Sequence, residues 1–155
     1  MKELTTREMQ EVSLEILHTI ASICEKQHFR YALIYGTLIG AVRHKGYIPW
    51  DDDVDIMMPR PDYDRLLHYL KENIADYPHL KVFNREECPE YPYMITRISD
   101  QRYRIEMENE KPFGLGVFID IYPYDGLGDT KEEALKELDE AFKFTIESAL
   151  KDGIK

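Results

Sequence analysis

Residues 31–58 read YALIYGTLIGAVRHKGYIPWDDDVDIMM, and the order of residue types in this stretch decides the fold. Residues 31–35 form a short apolar, aromatic-rich run closed by Gly36, the pattern of a buried strand. Residues 38–43 are expected to form a short helix, and residues 44–50, with Gly46 and Pro49, read as loop. Residues 53–58 return as a second strand, stopped by Pro59 and Pro61, and Pro61 suits the first turn of a further helix. The order is therefore strand, Gly-Thr turn, helix, loop, acidic strand.

Upstream, Thr5 and Glu8 fit a capping box, and Met9, Val12, Ile16, Ile20 and Ile23 recur at steps of three and four. This predicts an amphipathic helix over 6–27. Downstream, Tyr63, Leu66, Leu67, Leu70 and Ile74 share one helical face that ends before Pro78. Strands are expected at 80–83, 93–98 and 116–122. A weaker one at 103–107 would pair as a hairpin around Ser99-Asp100-Gln101, with 108–114 as loop. Leu135, Leu138, Phe142 and Ile146 mark a last helix opened near Asp129 or Thr130. No internal repeat or linker divides the chain, so residues 1–155 are expected to be one α/β (α+β) domain, a mixed sheet flanked by helices.

Composition narrows the function. The 155 residues carry 20 Lys+Arg against 30 Asp+Glu, a formal charge of −10, and 43% are hydrophobic. A chain of about 150 residues buries roughly two-thirds of its unfolded surface, so it folds without disulfides or structural metal. The acidic balance argues against nucleic acid as a partner, because affinity for long polyanions comes from Lys/Arg stripes. Cys24 and Cys88 stand in no metal or redox spacing, which points to a reducing, cytoplasmic setting. No apolar run approaches the length of a membrane span or signal peptide.

The densest chemical signal is Asp51-Asp52-Asp53-Val54-Asp55, four carboxylates within five positions. Residues two apart on a strand share a face, so Asp51, Asp53 and Asp55 are expected to converge while Val54 and Ile56 face the core. Hard oxygen ligands favour Mg²⁺ or Mn²⁺, which offset the repulsion and hold a substrate's phosphates. An EF-hand reading fails at the sixth position, where Ile56 stands in place of the required Gly. Asp120 is a lone carboxylate in the apolar run 116–122, and burying it without a partner is costly. It is expected to join Asp53 and Asp55 as a third metal ligand and to draw a proton from an attacking hydroxyl. Gly36-Thr37, 17 positions before Asp53, offers backbone N–H groups and a hydroxyl to phosphate oxygens. Arg43, His44 and Lys45 form the basic run near the acidic cluster, and Arg43 and Lys45 are candidates to neutralise a donor's phosphates, with Arg97 a weaker phosphate candidate. Trp50 and Tyr47 are candidates to stack on a base or face a quaternary ammonium.

Taken together, LIYGTLIGAVRHKGYIPWDDDVDI at 33–56 and GVFIDIYPYDGL at 116–127 resemble the LicD family of phosphotransferases, within the nucleotidyltransferase superfamily and related to fukutin-type sugar-phosphate transferases. The resemblance covers residues 9–128. It implies transfer of phosphocholine from CDP-choline, or a similar nucleotide-diphosphate donor, to a glycan acceptor of the lipopolysaccharide or teichoic acid kind. By the same resemblance Gly36 and Thr37 match a phosphate-side turn, Asp53 and Asp55 a metal-binding pair, Asp120 a third carboxylate, and Asp51 a further acidic position. Family members run on past this length, so the chain is expected to be the N-terminal part of a longer protein. The competing expectations are another donor on the same fold, a nucleotide sugar or NTP, or a non-catalytic metal-binding module.

Overall fold

The computed structural model describes residues 4–105, 113–126, 130–140 and 143. Helix α1 spans Thr6–Gln27, opened by the Thr5/Glu8 capping box and closed by His28 in the left-handed region (φ 57°). Such a cap contributes about 1 kcal/mol. Strand β1 (Ala32–Leu33) leads into α2 (Tyr35–Ile39), which widens into one π turn at Gly40–His44. Strand β2 (Asp55–Pro59), helix α3 (Arg60–Asn73), and strands β3 (Leu80–Phe83), β4 (Thr96–Asp100) and β5 (Val117–Tyr124) follow. Residues 131–140 are helical, and Thr130 and Glu133 form a second capping box at their start.

The five strands form one mixed sheet in the order β1-β2-β5-β4-β3. Only β2 and β5 run parallel; the other three pairings are antiparallel. Alternation sorts the sheet into two faces. Val54, Ile56, Met58, Ile98, Ile119 and Ile121 meet Ile16, Ile20 and Ile23 of α1 and Tyr63, Leu66 and Leu70 of α3 in the main core. The opposite face carries Asp55, Met57, Arg97, Phe118, Asp120 and Tyr122, so these side chains lie on the side away from α1 and α3.

Several elements depart from the sequence expectation. The strand expected at 31–35 stops at Leu33, and the helix begins at Tyr35 rather than Leu38. The strand expected at 93–98 runs instead from Thr96 to Asp100. Tyr91 and Tyr93 have strand-like composition, but their rings stack edge to face 5.4 Å apart, and Phe113 packs on Tyr91 at 6.0 Å. The ladder reaches Asp100 because Ser99 Oγ accepts the Gly116 N–H at 2.7 Å and the buried Asp100 carboxylate is held by Arg102 at 2.6 Å. Residues 103–105 are not strand; Ile105 makes one backbone bond, donating to the Leu115 carbonyl. The remainder of that expected strand, and Phe142 and Ile146 of the last helix, lie outside the described residues. Leu138 is buried and Asp139 pairs with Arg30, which docks segment 131–140 beside α1 and α3.

Gly40 fixes the approach of the loop that precedes the acidic strand. A Cβ there would lie 2.5 Å from the Gly46 carbonyl oxygen and 2.9 Å from the Ile48 nitrogen, both backbone. Gly40→Ala is expected to cost about 1–3 kcal/mol, because backbone cannot rotate out of the way as a side chain can. A urea melt of the variant would measure it, and an unchanged midpoint would contradict this packing.

Candidate active site

The site begins with a register. Asp55, first residue of β2, lies directly beside Asp120 on the parallel neighbour β5, and Asp120 lies directly across from Arg97 on β4. All three are buried, at 6%, 8% and 8% exposure. Arg97 Nε donates to Asp120 Oδ1 at 2.9 Å. The guanidinium is itself sandwiched between the rings of Tyr93 at 4.4 Å and Phe118 at 4.3 Å, so its position is set from both sides.

The Gly-Thr turn is wired to the same strand. Thr37 Oγ1 accepts the Asp55 N–H at 2.9 Å, and the Asp55 carbonyl accepts the Ile34 N–H at 3.1 Å. Gly36 sits against Asp51, whose Oδ2 would be 2.4 Å from a Cβ at that position. The glycine therefore makes room for a carboxylate. From the other side α1 braces the loop: Gln10 Nε2 donates to the Asp51 carbonyl at 2.6 Å, and Ser13 Oγ hydrogen-bonds the Tyr47 hydroxyl at 2.8 Å.

Repulsion in the cluster is only partly offset by Arg97. Burial first, then repulsion from Asp53, Asp120 and Asp51, pushes the Asp55 carboxyl from 3.8 up to about 7, against a smaller opposing pull from Arg97. Desolvation and the neighbouring Asp51 carboxyl push Asp53 up to about 6. A carboxyl whose folded pKa is raised binds protons more tightly folded than unfolded, so stability falls as pH rises from about 4 through about 7. Melting temperature in chelator is expected to drop across that window and to drop less in Asp55→Asn. Equal slopes for the two proteins would contradict the assignment of the shift to Asp55.

The expected site residues divide as follows. The structure brings together Asp55, Asp120 and Arg97, with Thr37 bonded to Asp55 and Gly36 against Asp51. Asp53 precedes the strand and is exposed, since β2 begins at Asp55; Asp51, Asp53 and Asp55 therefore do not share one extended strand, although their charges act on one another. Arg43 and Lys45, at the end of the π turn, are exposed and make no ion pair among the described residues. Arg97 reaches the site through Asp120. Tyr122, which the sequence reading did not single out, stands beside Asp55 and Asp120, and the ring of Tyr35 meets that of Tyr122. Tyr122 follows Asp120 by two positions, and strand alternation was the signal that places both on one face.

Among the described residues no three His, Cys, Asp or Glu side chains are gathered into a ready metal cage. The donor set nevertheless fits Mg²⁺ or Mn²⁺. Mg²⁺ is commonly held by one or two carboxylates plus substrate phosphates rather than by an all-protein cage, and two in-register carboxylates that repel each other suit that arrangement. A groove of about 780 Å³ between α3 and β3 lies at the other end of the sheet. Its Lys71 is already bridged to Glu86 at 3.0 Å and Glu87 at 3.4 Å, so it offers no comparable uncompensated charge. No helix among the described residues is long and apolar enough to cross a membrane.

Comparison with known proteins agrees with this geometry. The family profile described as LicD/FKTN/FKRP, nucleotidyltransferase domain, matches residues 28–147. The chain is 38% identical over 127 residues to the lipopolysaccharide cholinephosphotransferase LicD of Haemophilus influenzae, covering 82% of this chain and 47% of that protein. It is 31% identical over 87 residues to an uncharacterized protein of Rickettsia typhi, covering 54% of this chain and 28% of that protein. The chain thus spans about half the length, or less, of these curated relatives. With a five-stranded mixed sheet carrying Asp55 and Asp120 in register, and a family match over most of its length, the chain belongs to the LicD family of nucleotidyltransferase-domain proteins.

Proposed function

We propose that this chain holds the nucleotide-donor site of a metal-dependent phosphotransferase that moves a phosphocholine-type group from a CDP-linked donor to a hydroxyl of a cell-surface glycan. The observation that carries this reading is the in-register, mutually repelling pair Asp55 and Asp120, joined to the Gly36-Thr37 turn by the Asp55 N–H. The named relative, a lipopolysaccharide cholinephosphotransferase, supplies the substrate class.

In this mechanism Asp55 and Asp120, with Asp53 alongside, would hold Mg²⁺ or Mn²⁺. The bound ion supplies neutralisation of the donor's diphosphate and of the charge that develops on it. Thr37 keeps Asp55 at its station through the backbone bond while its O–H donates to a phosphate oxygen. The acceptor hydroxyl attacks the phosphorus that carries the head group, in line with the bond to CMP. As the new P–O bond forms, the bond to CMP breaks and CMP leaves as an anion. Asp120, oriented by Arg97, takes the hydroxyl proton. Arg43 and Lys45, exposed on the loop side, draw in the anionic donor. A nucleotide donor and two free thiols, Cys24 and Cys88, suit a cytoplasmic location for this half-reaction.

A donor screen at fixed Mn²⁺ tests the proposal. CDP-choline, a nucleotide sugar and CTP are each offered with a glycan acceptor, and release of the nucleotide is followed. Release from CDP-choline at least tenfold faster than from the others is expected. Preference for the sugar nucleotide or for CTP would replace the donor. Metal affinity without nucleotide affinity would make the chain a non-catalytic metal-binding module.

A further inference from the structure

We infer that Tyr35 and Tyr122 form the wall that receives the trimethylammonium head group of the donor, making Tyr35 a specificity-determining residue. The inference rests on the phosphocholine reading above and deepens it. Its geometry starts from β5. Asp120 and Tyr122 are two residues apart on one face, roughly 6–7 Å along the strand, the same order as the distance from phosphorus to quaternary nitrogen in a phosphocholine. Across the sheet, Tyr122 pairs with Met57 just as Asp120 pairs with Asp55. A donor whose phosphorus is held at the carboxylates therefore extends its head group along the strands toward Tyr122.

Tyr35 completes the wall. Its ring meets that of Tyr122 edge to face, centroids 5.5 Å apart, yet the residue is 62% exposed. It also stands in the left-handed region, φ 50°, at the first residue of α2 and next to Gly36-Thr37. A bulky residue rarely adopts that conformation, and Gly would adopt it without strain. A strained, solvent-facing aromatic at a site's rim contributes little to folding, and such outliers concentrate where ligands bind.

The chemistry selects the ligand class. A trimethylammonium has no N–H to donate, so hydrogen-bond acceptors cannot recognise it directionally, whereas aromatic faces and nearby carboxylates attract it. The same face of the sheet already holds one delocalised cation this way, Arg97 between Tyr93 and Phe118. Other aromatic candidates are less suited. Tyr47 is committed to Ser13, and Trp50, 80% exposed, has no ring contact among the described residues.

The test uses the full chain with Mn²⁺ and compares calorimetric affinity for CDP-choline with that for CDP-glycerol, which has the same nucleotide and a neutral head. Wild type is expected to favour CDP-choline. Tyr35→Gly removes the ring and relieves the backbone, so its melting temperature is expected to hold or rise. Its preference for CDP-choline should fall roughly 2- to 30-fold, the range of one cation–π contact, with CDP-glycerol affinity unchanged. Tyr35→Phe should keep the preference. If wild type prefers CDP-choline and Tyr35→Gly keeps that preference in full, the head-group wall is wrong while the donor reading stands. If Tyr35→Gly loses both ligands equally, Tyr35 shapes the site without reading the head group, which also overturns the inference. If wild type does not distinguish the two donors, the phosphocholine reading falls with it.

Discussion

Asp55→Asn is expected to reduce transfer by roughly a thousandfold or more while leaving the protein folded, and to raise its melting temperature in the absence of metal at pH 8. Both effects have one cause. Asp55 is 6% exposed and sits beside Asp120, and its carboxyl is pushed up to about 7 by burial and by its acidic neighbours. Above that pH its ionisation opposes folding. Asn keeps the shape and the backbone bond to Thr37, which comes from the main chain, and removes the repelled charge. The lost ligand removes several kcal/mol of charge stabilisation at the diphosphate, which is the thousandfold. Paired measurements of single-turnover rate and thermal melting in chelator check this. A variant that retains full activity would sink the assignment of Asp55, and one that is less stable at pH 8 would show that the carboxylates do not repel as described.

Arg97→Ala is expected to destabilise the fold by about 3–5 kcal/mol, the largest loss of stability predicted for a single substitution here. The Arg97–Asp120 pair is about nine-tenths buried on both sides, and removing one partner of a buried ion pair leaves the other charge in a poorly solvated place. Arg97 also fills the space between Tyr93 and Phe118, so Ala adds a cavity. The double variant Arg97→Met, Asp120→Leu is expected to recover most of that loss, since a buried pair exchanged for apolar residues of similar volume is often neutral. Transfer should stay abolished in it. Denaturant midpoints of the three proteins give the answer, and a double variant as unstable as Arg97→Ala would mean that the pair contributes net stability beyond avoiding a stranded charge.

The succession of elements around the site was legible because it rests on short-range signals: the apolar run before Gly36, the alternation of Val54 and Ile56 with Asp55, and the lone Asp120 in an apolar strand. The helices α1 and α3 were legible for the same reason, through periodicity and the Thr5/Glu8 cap. What the sequence left open depends on long-range pairing. Arg97 was visible as a cation on the strand expected at 93–98, but its bond to Asp120 depends on the antiparallel register of β4 with β5. Buried Asp62 and Asp100 look no different in sequence from the site's carboxylates. Partners far away in the fold, Arg30 for Asp62 and Glu15 through Arg102 for Asp100, give them structural roles. Tyr35 was unreadable because a tyrosine with positive φ contradicts local preference. The contacts around it impose that conformation, including the bonds of Ile34 and Thr37 to Asp55.

The central claim is that Asp55 and Asp120, with Asp53 alongside, on a chain about half the length of its relatives, hold a metal that in turn holds a CDP-linked donor. Calorimetric titration of the full chain with CDP-choline, with and without Mn²⁺, tests it most directly, using Asp53→Asn plus Asp55→Asn as the control. The account predicts binding that requires Mn²⁺ and disappears in the double variant. Binding of equal strength without Mn²⁺, or in the double variant, would contradict it.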